Sequence, residues 1–231
     1  MNESQRNLTK NSNQHENTIA NLDPKQGKGK PLTIPEVFIL ESLDRNDERK
    51  RRFEGQVLSD MLRLAGKNPK YYYFQSKDEI PHVLNLFEQS RYRYLHFSSH
   101  ASLTHIHTTE DDILYEDFSS LFRNKLKLKR LFFSACQIGN ESFFKSIATK
   151  NKGMHSIVAP AKDIRFDQAA ALWSTFYISM FNENSDAMNR AQIAKRIKAL
   201  TSLFSVDFFF AAYNSKHDKW EYSEIKASDN D

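Results

Sequence analysis

The sequence contains a single cysteine, Cys136, among its 231 residues. One cysteine excludes an intrachain disulfide and favours a protein that works in a reducing compartment. The chain also lacks any apolar run near the ~20 residues that a membrane-spanning helix requires. No apolar segment typical of a signal peptide follows Met1. Together these absences predict a soluble, cytoplasmic protein without a membrane partner.

A charge excess of one sign is also missing. The formal net charge is +4, from 33 basic and 29 acidic residues that are interspersed along the chain. The basic run 50–52 is interpreted as part of the solvated face of a helix, and the Phe-rich segments look like core strands rather than a platform for stacking bases. We therefore expect no nucleic-acid partner.

The distribution of apolar residues predicts one folded domain between two polar ends. Hydrophobic residues make up 39% of the chain, and their shortage is concentrated in residues 1–30. That segment buries too little apolar surface to offset its ordering entropy, so we predict that it is disordered. Residues 31–214 have the composition of a globular domain, and residues 215–231 are expected to form a polar C-terminal tail.

Short apolar or aromatic runs alternate with amphipathic segments along the predicted domain. Six such runs are predicted to be strands: 37–40, 71–74, 94–97, 131–133, 156–159 and 208–213. Apolar residues at helical spacing predict helices within 53–65, 80–87, 118–122, 143–148, 170–180 and 187–204. This alternation indicates an α/β fold with a parallel sheet covered by helices on both faces.

Two reactive side chains follow neighbouring predicted strands. His100 comes just after the strand at 94–97, and Cys136 just after the strand at 131–133. In parallel α/β sheets, functional groups gather at the carboxyl ends of the strands. A thiol and an imidazole that meet there would form a nucleophile and its base. The alternative is that Cys136 is a small buried hydrophobic residue, the commonest role of a lone cysteine.

The polar segment after His100 contains groups of the type that bind zinc. These are His105, His107, Glu110, Asp111 and Asp112. A thiolate site would need more cysteines, and the two-ligand spacing typical of a helical metal site is absent. We predict that the segment borders a substrate cleft and that the protein uses neither a metal nor another cofactor.

The two segments that carry His100 and Cys136, Tyr-Leu-His-Phe-Ser-Ser-His-Ala and Leu-Phe-Phe-Ser-Ala-Cys-Gln-Ile-Gly, resemble the caspase-like cysteine peptidase fold. They are most similar to its CHAT branch, which groups with separases and prokaryotic caspase-like proteins. The resemblance covers roughly residues 37–213. It implies a three-layer sandwich, with a mostly parallel central sheet of about six strands and helices on both faces. It also implies peptide-bond hydrolysis through a thioester intermediate.

The resemblance assigns roles to individual residues. Cys136 would be the nucleophile and His100 its proton-transferring partner, while the backbone N–H groups of Cys136 and Ala101 would form the oxyanion hole. The family usually has glycine at the position of Ala101. Ser134 occupies the position where caspases place Gln and several relatives place Asp in the pocket for the substrate side chain. Position alone suggests further pocket candidates: Asp44, Asp111, Asp112, Asp163 and Arg165.

The resemblance further implies a protein substrate in a prokaryotic antiviral or cell-death pathway, such as a gasdermin-like protein, and an activating partner outside the chain. Two other functions stay open. Ala101 and Ser134 depart from the family pattern, which suits a catalytically silent binding module on the same fold. A nucleotide- or signal-binding domain would need a glycine-rich loop after the first strand, and residues 42–45 contain no glycine.

Overall fold

The computed structural model describes residues 33–227, which form one seven-stranded sheet between two layers of helices, with a small second sheet beside it. The strands are β1 (Ile34–Glu41), β2 (Lys70–Tyr73), β3 (Tyr92–Ser98), β4 (His100–Ala101), β5 (His105–His107), β6 (Asp112–Leu114), β7 (Arg130–Ser134), β8 (Ser156–Pro160), β9 (Phe208–Asn214) and β10 (Lys219–Ile225). The helices are α1 (Arg45–Arg49), α2 (Glu54–Leu64), α3 (Ile80–Ser90), α4 (Tyr115–Leu121), α5 (Glu141–Lys150), α6 (Phe166–Glu183) and α7 (Arg190–Phe204). The polar segment predicted at 1–30 lies outside the described residues.

The strands of the large sheet run in the spatial order β10-β9-β8-β7-β3-β1-β2. All pairings from β8 to β2 are parallel, and β9 runs antiparallel to both of its neighbours. The predicted α/β fold, mostly parallel and covered on both faces, is confirmed. The sheet has seven strands where about six were predicted. Across residues 33–227, none of the helices combines the length and apolarity needed to cross a bilayer.

Alternate residues of the central strands belong to two separate hydrophobic cores, because successive side chains of a strand point to opposite faces of the sheet. In β1, Phe38 and Leu40 pack on one side, while Val37 and Ile39 pack on the other, and all four are fully buried. Helices α3, α4 and α5 cover the first side, and α2, α6 and α7 cover the second. Burial on both faces explains why these strands read as continuous apolar runs in the sequence.

The register of the central strands places three polar residues side by side at the carboxyl edge. Glu41 of β1 pairs with Ser98 of β3, and Ser98 pairs with Ser134 of β7. Laterally paired residues project from the same face, here the face covered by α2. Because β3 and β7 are direct neighbours, the segments that carry His100 and Cys136 leave the sheet at the same edge.

The polar segment after β3 folds into an antiparallel sheet of β4, β5 and β6, whereas the sequence predicted a loop. Its strands have only two or three residues, too few to show a strand pattern in the sequence. Thr109, in the turn between β5 and β6, donates its hydroxyl to the Leu43 carbonyl at 2.7 Å, and its N–H to the Ser42 hydroxyl at 3.1 Å. These bonds fix the small sheet against the segment that follows β1.

Helix α1 was not predicted, since five residues are too few to show helical periodicity. The Asp44 side chain caps it by accepting from the N–H groups of Asn46 and Asp47, both at 2.8 Å. The basic run 50–52 lies in the turn between α1 and α2, not on a helix as expected. Arg51 there has a positive φ of 56°.

Strand β10 lies inside the segment expected to be a polar tail, which is a correction to the predicted domain end. It pairs with β9 along its whole length. Trp220 and Tyr222 pack against the core, while Lys219 and Glu224 are exposed. An edge strand needs few buried side chains, and charged residues protect its free side, so its composition resembles that of a tail.

Candidate active site

A cavity of about 40 Å³ opens at the carboxyl edge of the sheet, where β3 and β7 end and α2 and α6 begin. Its lining residues are Glu54, Ser99, His100, Ser134, Ala135, Cys136, Ile164, Phe166 and Ala169. The structure thus brings His100 and Cys136 to one cavity. Their side chains come from separate segments, each of which follows one of two paired strands.

His100 is held by a carboxylate. Its Nε2 atom lies 2.8 Å from Oδ2 of Asp47 and 3.6 Å from Oδ2 of Asp44. Because an ionised carboxylate can only accept, Nε2 carries the proton, and Nδ1 of the neutral ring is the basic nitrogen. The imidazole also meets the Phe166 ring edge-on, with centroids 5.4 Å apart. These contacts fix both the orientation and the tautomer of His100.

Asp47 is a residue that the sequence analysis missed. Its side chain is 6% exposed, and its second oxygen accepts from Nη1 of Arg52 at 2.9 Å. The Arg52 guanidinium in turn lies 5.7 Å from the centre of the Phe166 ring. The sequence showed an acidic residue soon after the first strand, and this position suggested Asp44 as the pocket candidate. Asp44 is used to cap α1, and Asp47 within that helix reaches His100.

Cys136 lies in the turn after β7 and is half-buried. Its thiol donates to the Ile164 carbonyl at 3.5 Å, and the Ile164 N–H donates to the sulfur at 3.4 Å. Burial raises the pKa of the Cys136 thiol, the Ile164 N–H opposes that rise, and the charge of Asp163 adds to it. The resting sulfur is therefore a neutral thiol, which needs a base to become a nucleophile.

The turn that carries Cys136 is fixed to the end of β8. Gly139 donates its N–H to the Pro160 carbonyl at 2.8 Å, and a Cβ at Gly139 would lie 2.5 Å from that same oxygen. Only glycine allows this approach. Gln137 has a positive φ of 57° and donates its N–H to the Lys162 carbonyl at 3.3 Å. The position of the sulfur thus depends on β8 as well as β7.

The sequence matches no family model, and no curated protein matches it. The solved structures with a similar fold include two cysteine proteases. A secreted C11 cysteine protease from Bacteroides thetaiotaomicron, solved with an irreversible peptide inhibitor, has a TM-score of 0.53 at 10% identity, over 77% of this chain and 66% of that chain. Caspase-1 from Spodoptera frugiperda has a TM-score of 0.50 at 13% identity, over 77% and 82% of the two chains.

The chain has a caspase-like fold. The sequence prediction of that fold is confirmed, and the assignment to the CHAT branch stays a prediction. Both of these solved structures are cysteine proteases. At the observed identities of 10% and 13%, the likeness concerns the fold alone.

Glu54, the first residue of α2, forms part of the cavity wall and was also missed from the sequence. It is 4% exposed. Its Oε2 atom accepts from the Ser134 hydroxyl at 2.7 Å and from the Ser98 hydroxyl at 3.1 Å. Ser134, named as a pocket residue from the sequence, thus lines the cavity and is hydrogen-bonded to a buried carboxylate. The apolar periodicity of α2 gave no sign of this role.

A second buried carboxylate, Glu41, lies beside Glu54. It accepts from the N–H groups of Gly55 at 2.7 Å and Gln56 at 3.2 Å, and from the Tyr71 hydroxyl at 2.8 Å. Burial raises the pKa of Glu41 to about 7, the Gly55 N–H opposes that rise, and the charge of Glu54 adds to it. Two acidic groups therefore lie against the carboxyl edge of β1, β3 and β7.

Asp111 and Asp112, the acidic pocket candidates near the small sheet, bind groups outside the cavity. Asp111 accepts from the N–H of Lys77 at 2.6 Å, at the start of a short 3₁₀ turn. Asp112 pairs with His107. Neither aspartate belongs to the cavity lining. Ala101 follows His100 in β4, opposite Ile106, and its place in an oxyanion hole stays a prediction.

The candidates in the segment after β8 flank the lining residues Ile164 and Phe166 without lining the cavity themselves. Asp163 accepts from the Gln137 amide at 2.8 Å, outside the cavity. Arg165 pairs with Asp167 at the start of α6. The charged side chains of Asp163 and Arg165 therefore point outward, and the apolar side chains of Ile164 and Phe166 face the cavity.

Asp44, Asp47 and His100 present ligand-type atoms that all lie within 4.8 Å of one another. The same atoms already serve the protein, because Asp44 caps α1 and Asp47 binds Arg52 and His100. His105 and His107 lie in β5 and are not part of this group. The arrangement is accounted for by hydrogen bonds that orient the imidazole.

Proposed function

We propose that the protein is a cysteine endopeptidase in which Cys136 is the nucleophile and His100 the base. The observation that carries the proposal is the shared cavity of the two side chains, together with the buried Asp47 that holds Nε2 of His100. A nucleophile, a base and a group that orients the base are the three parts of a covalent hydrolase site.

In the proposed reaction, Nδ1 of His100 takes the proton from the Cys136 thiol as the sulfur attacks the substrate carbonyl carbon. Asp47 stabilises the imidazolium that forms. The imidazolium then returns the proton to the leaving amine, the C–N bond breaks, and a thioester remains on Cys136. Water, activated by His100, attacks the thioester and releases the acid and the thiol.

The backbone N–H groups of Cys136 and Ala101 are proposed to stabilise the oxyanion. Support comes from the two fixed backbone segments: the Cys136 turn is tied to β8 through Gly139, and Ala101 lies in β4 of the anchored small sheet. Rigid donors contribute most, because they need no reorganisation as the charge develops.

The substrate is proposed to be a protein, and an activating partner is proposed to act first. The small cavity volume of about 40 Å³ supports such a step, as does the engagement of the sulfur by Ile164, because a polypeptide needs more room around Cys136. The proposal extends to prokaryotic antiviral defence, with a gasdermin-like protein as candidate partner. That extension is supported by the sequence motifs around His100 and Cys136.

The test is cleavage of a peptide library by the unaltered protein, with new amino termini identified by mass spectrometry. Cys136→Ala and His100→Ala are the matched variants, and neither should produce the cleavages of the unaltered protein. Cleavage that persists in Cys136→Ala would remove the cysteine from the mechanism and contradict the proposal.

A second candidate is a catalytically silent binding module. It is favoured by the raised pKa of the Cys136 thiol and by the hydrogen bonds of the sulfur, which go to Ile164. Iodoacetamide labelling distinguishes the two functions. A peptidase should show a labelling rate that falls in His100→Ala, since the imidazole assists deprotonation, whereas a silent module should show the same rate with and without His100.

A further inference from the structure

Four basic side chains lie at the amino edge of the large sheet, the edge opposite to the candidate active site. We call them the basic cluster: Arg93, Lys129, Arg130 and His155. Arg93 is the second residue of β3, Arg130 is the first residue of β7, and His155 comes directly before β8. Because β7 pairs in parallel with both β3 and β8, these segments start side by side.

Neutral groups hold two members of the cluster. Arg93 donates from Nε to the Thr33 hydroxyl at 2.8 Å, from Nη2 to the Thr33 carbonyl at 3.0 Å and from Nη1 to the Asp186 carbonyl at 2.5 Å. Lys129 donates from Nζ to the Tyr92 carbonyl at 2.5 Å. These acceptors fix the positions of the two cations and do not neutralise their charge.

Arg130 has a donor that nothing in the described part of the chain accepts. Its Nη1 atom donates to the Ser156 hydroxyl at 2.9 Å, whereas its Nε atom is buried and has no hydrogen-bond partner between residues 33 and 227. A buried donor without an acceptor is costly, and native structures rarely retain one. Arg93, Arg130 and His155 are each only partly buried, so the cluster is open to solvent.

No carboxylate neutralises the basic cluster. Among the residues that the structure describes, none of the ion pairs includes one of its four members. Other basic side chains that precede strands at this edge do have acidic partners. Lys67 pairs with Glu36 at 3.2 Å, and Lys125 pairs with Glu88 at 2.5 Å. An excess of positive charge therefore remains where β3, β7 and β8 begin.

The members of the cluster act on one another electrostatically. Burial lowers the pKa of Lys129 to about 8, that of Arg130 to about 10 and that of His155 to about 4. The charge of Arg93 lowers all three pKa values further, while Glu88 opposes the shift of Lys129. Like charges that are partly removed from water repel one another. A bound anion would relieve this repulsion.

The chemistry of the cluster suits a phosphate group. At neutral pH a phosphate monoester carries a charge of about −1.5 to −2 and three acceptor oxygens, and guanidinium groups bind it through paired N–H donors. A carboxylate offers a single charge and two oxygens, which leaves most of the cluster uncompensated. Lys129 is 7% exposed and the other members are partly buried, so the site fits a small terminal group rather than a long polyanion.

We propose that the basic cluster binds the phosphate group of a small anion. Arg93 and Arg130 supply guanidinium donors, with Nε of Arg130 among them, His155 supplies an imidazole N–H, and Lys129 adds a nearby charge. Free phosphate and the phosphate of a mononucleotide share this chemistry. The site is separate from the cavity of Cys136 and His100, and the proposal does not depend on the peptidase function.

The test is isothermal titration calorimetry of the full chain in a phosphate-free buffer at constant ionic strength. The probes are sodium phosphate, adenosine monophosphate, adenosine, which lacks the phosphate, and succinate, a dianion with two carboxylates. We expect saturable binding of phosphate or of adenosine monophosphate, and none of adenosine. Equal affinity for the first two would identify the phosphate group as the whole ligand, and roughly tenfold tighter binding of the nucleotide would identify a mononucleotide.

Two results with the unaltered protein would overturn the proposal. One is the absence of saturable binding by both phosphate and adenosine monophosphate. The other is binding of succinate as tight as that of phosphate, which would show a general attraction for anions without a phosphate site.

Arg130→Gln should weaken phosphate binding roughly 10- to 100-fold, the range expected for hydrogen bonds to a charged group. Arg63→Gln is the matched control, since Arg63 is 54% exposed on α2 and already pairs with Asp60; it should bind phosphate like the unaltered protein. Equal affinity in Arg130→Gln and Arg63→Gln would contradict the assigned site.

A chemical footprint locates the site if circular dichroism shows that Arg130→Gln is unfolded. Phenylglyoxal modifies arginine side chains, and peptide mass spectrometry of the unaltered protein reports each position. Phosphate should protect Arg130 and leave Arg63 unprotected. Equal modification of Arg130 with and without saturating phosphate would overturn the proposal.

Discussion

At the scale of single residues, the site depends on two carboxylates that act on other side chains. Asp47 fixes the ring of His100, and Glu54 binds Ser98 and Ser134. Asp47 lies 53 positions before His100 in the sequence, and Glu54 lies 80 positions before Ser134. Neither follows a strand directly, so the rule that found His100 and Cys136 could not find them.

Asp47→Asn should lower kcat/KM by roughly 100-fold or more, because an amide that donates to Nε2 would stabilise the wrong tautomer of His100. The pH profile of the remaining activity should shift as well, which a purely structural role would not cause. Asp44→Asn is the matched control, since asparagine is also a good N-cap and Asp44 lies 3.6 Å from Nε2. An equal loss in the two variants would contradict the assignment of Asp47.

The reactivity of Cys136 should rise with pH and show an apparent pKa above that of a free cysteine, because burial raises the pKa of the thiol. The measurement is the rate of iodoacetamide labelling across pH, followed by intact mass, with free cysteine as the reference. Chain unfolded in urea should return to the ordinary value. A midpoint below that of free cysteine would indicate a preformed thiolate–imidazolium pair and contradict the neutral resting thiol.

At the scale of secondary-structure elements, the connection from β1 to α2 holds a buried carboxylate against a helix N-terminus. Gly55 allows this approach, since a Cβ there would lie 3.1 Å from the Glu41 carboxyl carbon. The first N–H groups of α2 have no partner within the helix, and those of Gly55 and Gln56 donate to Glu41 instead. These hydrogen bonds therefore lie where the N-terminus of α2 packs against the sheet.

The free energy of unfolding should fall as the pH rises from 4.5 to about 7, the interval between the ordinary and the raised pKa of Glu41. In that window the folded protein holds a proton that the unfolded chain has lost, so raising the pH favours unfolding. The loss is about 3 kcal/mol at most, because each unit of the pKa shift corresponds to about 1.4 kcal/mol. Urea denaturation at several pH values measures it.

Glu41→Gln should flatten that dependence, because the amide keeps an acceptor and cannot ionise. Glu116→Gln is the control, because Glu116 lies on the exposed side of α4. This variant should leave the pH dependence of the unfolding free energy unchanged. The same slope between pH 4.5 and 7 in Glu41→Gln would show that another group causes the dependence.

Gly139→Ala should destabilise the protein by about 1–3 kcal/mol, the usual cost of overpacking, because the added Cβ would meet two carbonyl oxygens of β8 at 2.5 and 2.6 Å. Gly66→Ala is the control: Gly66 has a φ of 75° and nothing within 4 Å of the added Cβ, so only backbone strain of about 1 kcal/mol applies. Urea denaturation compares the two, and an equal cost would contradict the steric argument.

At the scale of the whole molecule, β9 and β10 extend the sheet beyond its parallel part. β10 covers the outer edge of β9, and Trp220 and Tyr222 add to the core. A chain that ends at Asn214 should therefore lose several degrees in its melting temperature and should associate through the exposed edge of β9. Thermal melting and size-exclusion chromatography measure these effects. A chain that ends at Ala227 keeps β10 and is the control; identical behaviour of the two would show that β10 contributes nothing.

The sequence by itself determined where six strands of the large sheet and the helices between them lie along the chain, because burial on both faces requires continuous apolar runs and burial on one face requires helical periodicity. It also located His100 and Cys136, since each directly follows such a run. The short elements α1, β4, β5 and β6 left no pattern, and β10 resembled a tail because its side chains are only partly buried or exposed.

The tertiary structure alone decided which polar groups surround the cysteine. Glu54 and Phe166 line the cavity, and Asp47 binds the lining residue His100. These three residues come from three different helices, so their meeting depends on the strand order and on the way each helix packs against the sheet. Contacts between distant parts of a chain follow from the simultaneous packing of all elements. Local sequence patterns indicate which residues are buried or reactive. They do not indicate which of these residues become neighbours in the folded protein.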